Sequence, residues 1–228
     1  MECCTVQPRT VRGELFDLTI ALAGNANVGK SVIFNALTGM NQIIGNWPGK
    51  TVELAEGSFD YHGRHVRVVD LPGIYSLSTY SQEEVVSREF IAETRPDIVI
   101  NVIDSTVLER NLYFTLQLRE LGIPLVVALN LADLADKDGL VIDVPTLSRM
   151  LGVPVVRTAA ATGKGLDELV RVCLSTAGTM PDPPPSYGLE VEEAIASLQR
   201  TLEDVHLAGP PALYTPRFLA IKLLESDP

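Results

Sequence analysis

The 228-residue sequence is poor in cysteine, has no long apolar run and lacks an excess of positive charge. Its three cysteines are an odd number, two of them adjacent at Cys3-Cys4, so no disulfide framework is expected and the compartment reads as reducing cytoplasm. The opening Met1-Glu2-Cys3-Cys4-Thr5 carries an acid where a secretory signal needs a basic segment leading into an apolar one. The longest apolar stretches, 98–103 and 125–129, fall far short of the roughly 20 residues that cross a bilayer. Lys and Arg number 18 against 29 Asp and Glu, a formal charge of −11, which argues against a nucleic-acid-binding surface. His62, His65 and His206 have no second His or Cys at ligand spacing, and Cys3-Cys4 at a terminus make a poor preformed site, so no transition-metal centre is expected. What is present is 46% hydrophobic residues, enough for one large domain with a small appendage.

Apolar runs alternate with amphipathic stretches, the β/α rhythm of a mostly parallel sheet covered by helices on both faces. Six strands are predicted at 16–23, 51–61, 65–70, 98–104, 125–130 and 153–157, with helices at 30–37, 82–93, 109–121, 145–151 and 165–176. The hairpin-like Tyr61-His62-Gly63-Arg64 makes one edge antiparallel. Four prolines between Pro181 and Pro185 read as a semi-rigid spacer. Beyond it, Leu189, Ala194, Ile195, Leu198, Leu202 and Val205 recur at helical spacing, and a second helix is predicted after Pro216. The expected division is an N-terminal extension at 1–14, the main domain at 15–178, the linker at 179–186 and a helical domain at 187–228 that packs on the first. The acidic pairs Glu83-Glu84, Glu192-Glu193 and Glu203-Asp204 read as solvated helix faces.

Residues 24–31, Gly-Asn-Ala-Asn-Val-Gly-Lys-Ser, match G-x-x-x-x-G-K-[ST] between a predicted strand and a predicted helix. Nucleotide contacts are expected from Gly24, Asn25, Ala26, Asn27, Val28, Gly29, Lys30, Ser31 and Val32, with Lys30 neutralising the terminal phosphates and the Ser31 hydroxyl on Mg²⁺. The plain alternative is a chance glycine-rich turn. Asp70-Leu71-Pro72-Gly73 follows an apolar strand, which puts Asp70 within reach of the Mg²⁺ shell and the Gly73 amide where it can sense a γ-phosphate. Asn130-Leu131-Ala132-Asp133 resembles the N-K-x-D guanine reader, in which the carboxylate accepts from N1–H and the N2 amine, a donor pair adenine lacks. Leu131 stands where Lys is usual. In Thr158-Ala159-Ala160, the last nucleotide loop, Ala159 takes the place of the usual Ser, so that loop is expected to be held less firmly. Together the four elements point to GTP or GDP as the ligand.

The strings Gly45-Asn46-Trp47-Pro48-Gly49-Lys50-Thr51-Val52-Glu53 and Leu71-Pro72-Gly73-Ile74-Tyr75-Ser76-Leu77-Ser78-Thr79-Tyr80-Ser81-Gln82-Glu83-Glu84 resemble switches I and II of the cytosolic G-domain of the bacterial ferrous iron transport protein B (FeoB) family. Arg217-Phe218-Leu219-Ala220-Ile221-Lys222-Leu223-Leu224-Glu225 resembles the end of that family's helical domain, so the resemblance covers essentially the whole chain. It implies a Ras-like P-loop GTPase fold, a mostly parallel six-stranded sheet with helices on both faces, plus a small C-terminal helical domain that modulates GDP affinity. It further implies a switch I that includes Gly49 and a Thr51 that joins Ser31 and Asp70 on Mg²⁺. A strand-opening role is the alternative for Thr51. For K⁺, it implies Asn27 with the backbone carbonyls of Gly45 and Trp47; Asn27 capping the loop is the alternative. The catalytic group would then be Lys30, Thr51, Gly73 and Asn27. Ile74 occupies the place of a water-orienting glutamine and cannot orient or deprotonate water, so slow, timer-like turnover is expected.

The resemblance also implies a membrane-embedded transporter domain in the same full-length protein, a location at the cytoplasmic face of the bacterial inner membrane and no nucleic-acid partner. An oligomer in the full transporter is allowed, although no heptad pattern supports one. The competing expectations are a free-standing soluble GTPase of ribosome assembly or RNA modification, which predicts a basic extension, and an ATPase or nucleoside kinase, which leaves Asn130 and Asp133 unexplained.

Overall fold

The computed structural model describes residues 9–11, 14–39, 42–46, 52–78, 80–204 and 213–227. Strands β1 (Arg9–Val11) and β2 (Glu14–Phe16) form a small antiparallel ribbon. The main sheet is built from β3 (Leu18–Gly24), β4 (Gln42–Asn46), β5 (Glu53–Tyr61), β6 (Arg64–Asp70), β7 (Ile98–Asp104), β8 (Leu125–Asn130) and β9 (Val155–Arg157), in the order β4-β5-β6-β3-β7-β8-β9. From β6 to β9 all pairing is parallel, while β4·β5 and β5·β6 are antiparallel. The β5–β6 turn works because both central residues, His62 at φ 49° and Gly63 at φ 78°, take the left-handed conformation that a right-twisted hairpin requires.

The helices are α1 (Lys30–Thr38), α2 (Gln82–Glu89), α3 (Leu108–Glu120), α4 (Ala132–Lys137), α5 (Val144–Leu151), α6 (Leu166–Thr176), α7 (Leu189–Asp204) and α8 (Pro216–Leu224). Successive residues of β3 point to opposite faces, as a strand demands. Ile20 and Leu22 pack with Ile33 and Phe34 of α1 and Leu169 and Cys173 of α6. Ala21 and Ala23 face the other layer, with Phe90, Phe114, Leu118 and, from the appendage, Phe218. The expected packing of the appendage on the main domain is therefore real, and Phe218, 2% exposed, is its anchor. Among the described residues no helix is long and apolar enough to cross a membrane.

All six predicted strands are present, and a seventh, β4, lies on the edge of the sheet where the sequence suggested no strand. Its Gln-Ile-Ile-Gly-Asn run is short and glycine-interrupted, and it exists by pairing with β5. The six-residue α4 was also absent from the sequence reading, being too short to display a period. The predicted 82–93 helix instead ends as α2 at Glu89 and passes into a π-helical turn, Phe90–Thr94, that buries Phe90 and Ile91 and stops at left-handed Arg95. Phe16 belongs to the β1–β2 ribbon rather than to β3, and β9 begins at Val155 rather than Val153.

Candidate functional site

Five parallel strands end on one edge of the sheet, the edge where open α/β sheets bind ligands. There Gly24 closes β3 and the chain turns through residues 25–29 into α1. Gly29, the N-cap, sits at φ 86° and offers no capping side chain, so the first amides of the helix remain available to an anion. A side chain at Gly29 would also collide with the Asn130 carboxamide, so the position tolerates only glycine. The Lys30 ammonium, largely buried, pairs with the Asp70 carboxylate at the end of β6, and the Ser31 hydroxyl donates to the other Asp70 oxygen at 3.0 Å.

Register explains the meeting: Asp70 lies opposite Leu22, two residues before the loop begins. The segment after Asp70 is stitched to the same loop, because the Leu71 N–H donates to the Leu22 carbonyl (3.0 Å) and the Ile74 N–H to the Gly24 carbonyl (3.1 Å). Between these bonds Gly73 passes so close to the loop that an added Cβ would lie 3.0 Å from Ala26 Cα. Ile74 is 3% exposed within the apolar core, so it presents no group to the site, as its chemistry suggested. Asn27 is exposed at φ 66° and has no side-chain partner among the described residues. Val28 and Asn25 are buried, and the Asn25 side-chain carbonyl oxygen has no hydrogen-bond partner among the described residues. Val32 is 44% exposed on the first turn of α1.

At the far end of the same edge Asn130 acts as a tie. Its amide nitrogen donates to the Val28 carbonyl in the phosphate loop (2.9 Å), while its carbonyl oxygen accepts from the Thr158 hydroxyl (3.1 Å) and the Ala160 N–H (3.0 Å). One side chain thus joins three loops that are distant in sequence. Leu131 adopts φ 58°, a conformation costly for a branched side chain, and turns the chain into α4. Asp133 follows on the first turn of α4, half-buried, with no hydrogen bond or ion pair to its side chain among the described residues. Contrary to expectation, the Thr158–Ala160 loop is held firmly. Thr158 supplies the hydroxyl, and buried Ala159 is bridged to Lys164 by its N–H (3.0 Å).

The predicted site residues Gly24 to Val32, Asp70, Gly73, Asn130, Leu131, Asp133, Thr158, Ala159 and Ala160 all lie along this one edge. Gly45 lies on β4 opposite Leu54, and Trp47, Gly49 and Thr51 fall outside the described residues. Ser105, at the end of β7, donates to the Asn130 carbonyl and was missed, although the end of that strand was the place to look. In two acidic pairs read as solvated faces, Glu83 and Glu193 are exposed as expected, but their neighbours are not free. Glu84 accepts from the Ser76 and Ser78 hydroxyls, clamping the loop before α2, and Glu192 pairs with Arg217. Glu203 and Asp204 have side chains outside the described set, as does His206. His65 stacks on Phe16 and pairs with Asp60. No group of three His, Cys, Asp or Glu that could hold a metal occurs among the described residues. The Ser31 hydroxyl beside the Asp70 carboxylate does suit Mg²⁺, a hard ion that completes its shell with phosphate oxygens and water.

A phosphate loop joined through one asparagine to an Asn-x-x-Asp reader, on one edge of a parallel sheet, is the arrangement of a G-domain, and the class is the P-loop GTPases. The family model described as Ferrous iron transport protein B matches residues 18–173, and that of the FeoB cytosolic helical domain matches residues 187–228. The chain is 45% identical over 215 residues to an Fe(2+) transport protein A/Fe(2+) transporter FeoB fusion protein of Porphyromonas gingivalis, covering 92% of this chain and 25% of that protein. It is 47% identical over 211 residues to the Fe(2+) transporter FeoB of Methanocaldococcus jannaschii, covering 91% and 30%. The cytosolic domain of the T. maritima FeoB iron transporter in its GMPPNP form superposes with a TM-score of 0.83 at 38% identity, covering 92% of this chain and 82% of that one. A GDP-bound S. thermophilus NFeoB mutant superposes with a TM-score of 0.83 at 44% identity, covering 92% and 80%. This chain belongs to the ferrous iron transport protein B family. It spans less than a third of the length of the curated relatives it matches.

Proposed function

We propose that this chain is the GTP-binding and GTP-hydrolysing regulatory part of a ferrous-iron transporter. It would be joined in a longer protein to a membrane-embedded domain and stationed at the cytoplasmic face of the bacterial inner membrane. The observation that carries this reading is the Lys30–Asp70–Ser31 cluster at the mouth of an uncapped helix, with Asp133 open at the other end of the same edge. The division we adopt is an extension at 1–14, the G-domain at 15–178, a linker at 179–186 and a helical domain at 187–228 that modulates GDP affinity.

In this reading a triphosphate draws the Lys30 ammonium from Asp70 to its β- and γ-oxygens, and the α1 amides take the remaining charge. Ser31, Asp70 and Thr51 would hold Mg²⁺, which would supply neutralisation of the phosphate charge. The Gly73 amide donates to the γ-phosphate and so couples its presence to switch II. Asp133 accepts from N1–H and N2 of guanine, beside the Thr158–Ala160 loop that Asn130 holds. An adenine base would leave that carboxylate unpaired. Asn27, Gly45 and Trp47 would offer oxygen donors to K⁺, which would supply the positive charge that an arginine finger brings elsewhere. Because Ile74 is buried and aliphatic, the attacking water is placed by switch I backbone, and turnover is slow.

The test is GTP hydrolysis in KCl and in NaCl at matched ionic strength. Turnover several-fold faster in KCl, with the difference abolished by Asn27→Ala, supports the reading. Equal rates in the two salts remove the K⁺ assignment, and no hydrolysis in either removes the GTPase.

A further inference from the structure

Leu77 lies four residues beyond Gly73 in switch II and is completely buried, and both of its backbone polar groups find partners outside the segment. Its N–H donates to Gln117 Oε1 on α3 at 2.7 Å, and its carbonyl accepts from an Arg88 guanidinium nitrogen on α2 at 3.4 Å. Neither contact ends there. Gln117 Nε2 donates to the Tyr113 hydroxyl (2.9 Å), and Tyr113 donates to Oε1 of Glu225 (3.1 Å), the C-cap residue of α8. The second Glu225 oxygen takes Lys222 Nζ at 2.8 Å, and Lys222 also meets the Asp227 carboxylate at 3.1 Å. Arg88 reaches the same carboxylate at 3.8 Å and so returns to the Leu77 carbonyl. A closed circuit of polar contacts thus leaves switch II by one backbone group and re-enters by the other, passing through the C-terminal end of α8.

We propose that this circuit is a positioning device in which Gln117 and Arg88 hold switch II at Leu77, and Glu225 and Asp227 at the end of α8 set that hold. The proposal rests on reading the chain as a GTPase switch and adds to it the specific residues that join the switch to the helical domain. A backbone amide that is buried is rarely left unpaired, so the Leu77 N–H must follow the Gln117 carboxamide wherever it is held. That carboxamide is in turn oriented by Tyr113. Desolvation, with the Glu225 carboxylate beside it, pushes the Tyr113 phenol up to about 12. On the return arm Asp227, Lys222 and Arg88 are all largely buried, so their charges are poorly screened and move as a set. The short stretch from Leu77 back to Gly73 is fixed at its other end by the Ile74–Gly24 bond, so a shift at Leu77 is felt beside the phosphate loop.

The experiment is a double-mutant cycle on the full 228-residue chain with Gln117→Leu and Glu225→Gln, two residues that do not touch each other. Hydrogen exchange of the Leu77 amide is read in the nucleotide-free protein, and kcat and KM for GTP are read separately. Gln117→Leu is expected to speed Leu77 exchange at least tenfold, and Glu225→Gln to speed it about threefold despite its distance. The double variant should fall short of the product of the two by a factor of about three or more, with kcat changed and KM within about twofold. Unchanged Leu77 exchange in Glu225→Gln, or strictly multiplicative effects, would overturn the circuit. Tyr113→Phe removes only the linking hydroxyl, so if Gln117→Leu fails to fold, the cycle of Tyr113→Phe with Glu225→Gln decides the same question. A wild-type chain that hydrolyses no GTP but shows the coupling in exchange would sink the functional reading and leave the circuit standing.

Discussion

Lys30 at the phosphate loop and Arg217 on α8 each face a buried carboxylate, and the two pairs differ in how completely the carboxylate is satisfied. Asp70 holds Lys30 and Ser31 and nothing else among the described residues, beside a helix end whose amides have no cap. Glu120 on α3 accepts from Arg217 at 2.9 Å and from the Tyr187 hydroxyl at 2.8 Å, its backbone carbonyl takes the Thr215 hydroxyl, and the other face of Arg217 is held by Glu192. Burial lifts the Glu120 carboxyl above the ordinary carboxylate range, and the bonds from Tyr187 and Arg217 pull it back. The first pair can exchange its partners for a phosphate and a metal ion. The second has no surplus valence and fixes the helical domain to the G-domain. The difference teaches that burial of an ion pair does not reveal its role; the number of unspent hydrogen-bonding groups around it does.

The comparison is sharpest at Lys30. Lys30→Met should lower GTP affinity by about a hundredfold or more, because it removes the ammonium that pairs with Asp70 at the loop, while leaving the chain folded; titration with a fluorescent GTP analogue reads the loss. Arg217→Met should do the reverse. It strands the Glu120 charge in a buried setting and is expected to cost about 3 kcal/mol in urea unfolding, with GTP affinity changed far less than by Lys30→Met. The smallest effect concerns Glu192. Hydrogen bonds from Arg217 hold its carboxyl down at about 2, so its contribution is present above the ordinary carboxylate value and is lost as pH falls through about 2. Glu192→Gln should therefore lose about 1 kcal/mol or less at pH 7, discounted for solvent, and the gap to wild type should close between about pH 4.5 and 2 in thermal unfolding. A gap that persists at pH 2 would show that the loss is not electrostatic.

What was legible in the sequence follows the same division. Gly24 to Ser31 and Asp70 announce themselves because their chemistry depends on local spacing and on the end of one strand, and the structure brings them together. Asn130 was visible as part of a base reader, but its bond to Val28 spans 102 residues and no local pattern encodes it. Glu84 and Glu192 sit at positions where helix periodicity says only that they face outward. What they face, Ser76 and Ser78 in one case and Arg217 in the other, is set by the fold. β4 escaped detection because its stability comes from β5 rather than from its own residues. The appendage, expected to pack on the first domain, contributes Phe218 to the core of the main domain.

The central claim is that one edge of this sheet holds a triphosphate by its loop and inspects guanine through Asp133. Isothermal titration of the chain with GTP and with ATP, each with Mg²⁺, tests it most directly, with Asp133→Asn as the companion. GTP should bind at least about a hundredfold more tightly than ATP, and Asp133→Asn should erase most of that preference. Equal binding of the two nucleotides by the wild-type chain, or GTP affinity untouched by Asp133→Asn, would contradict the account.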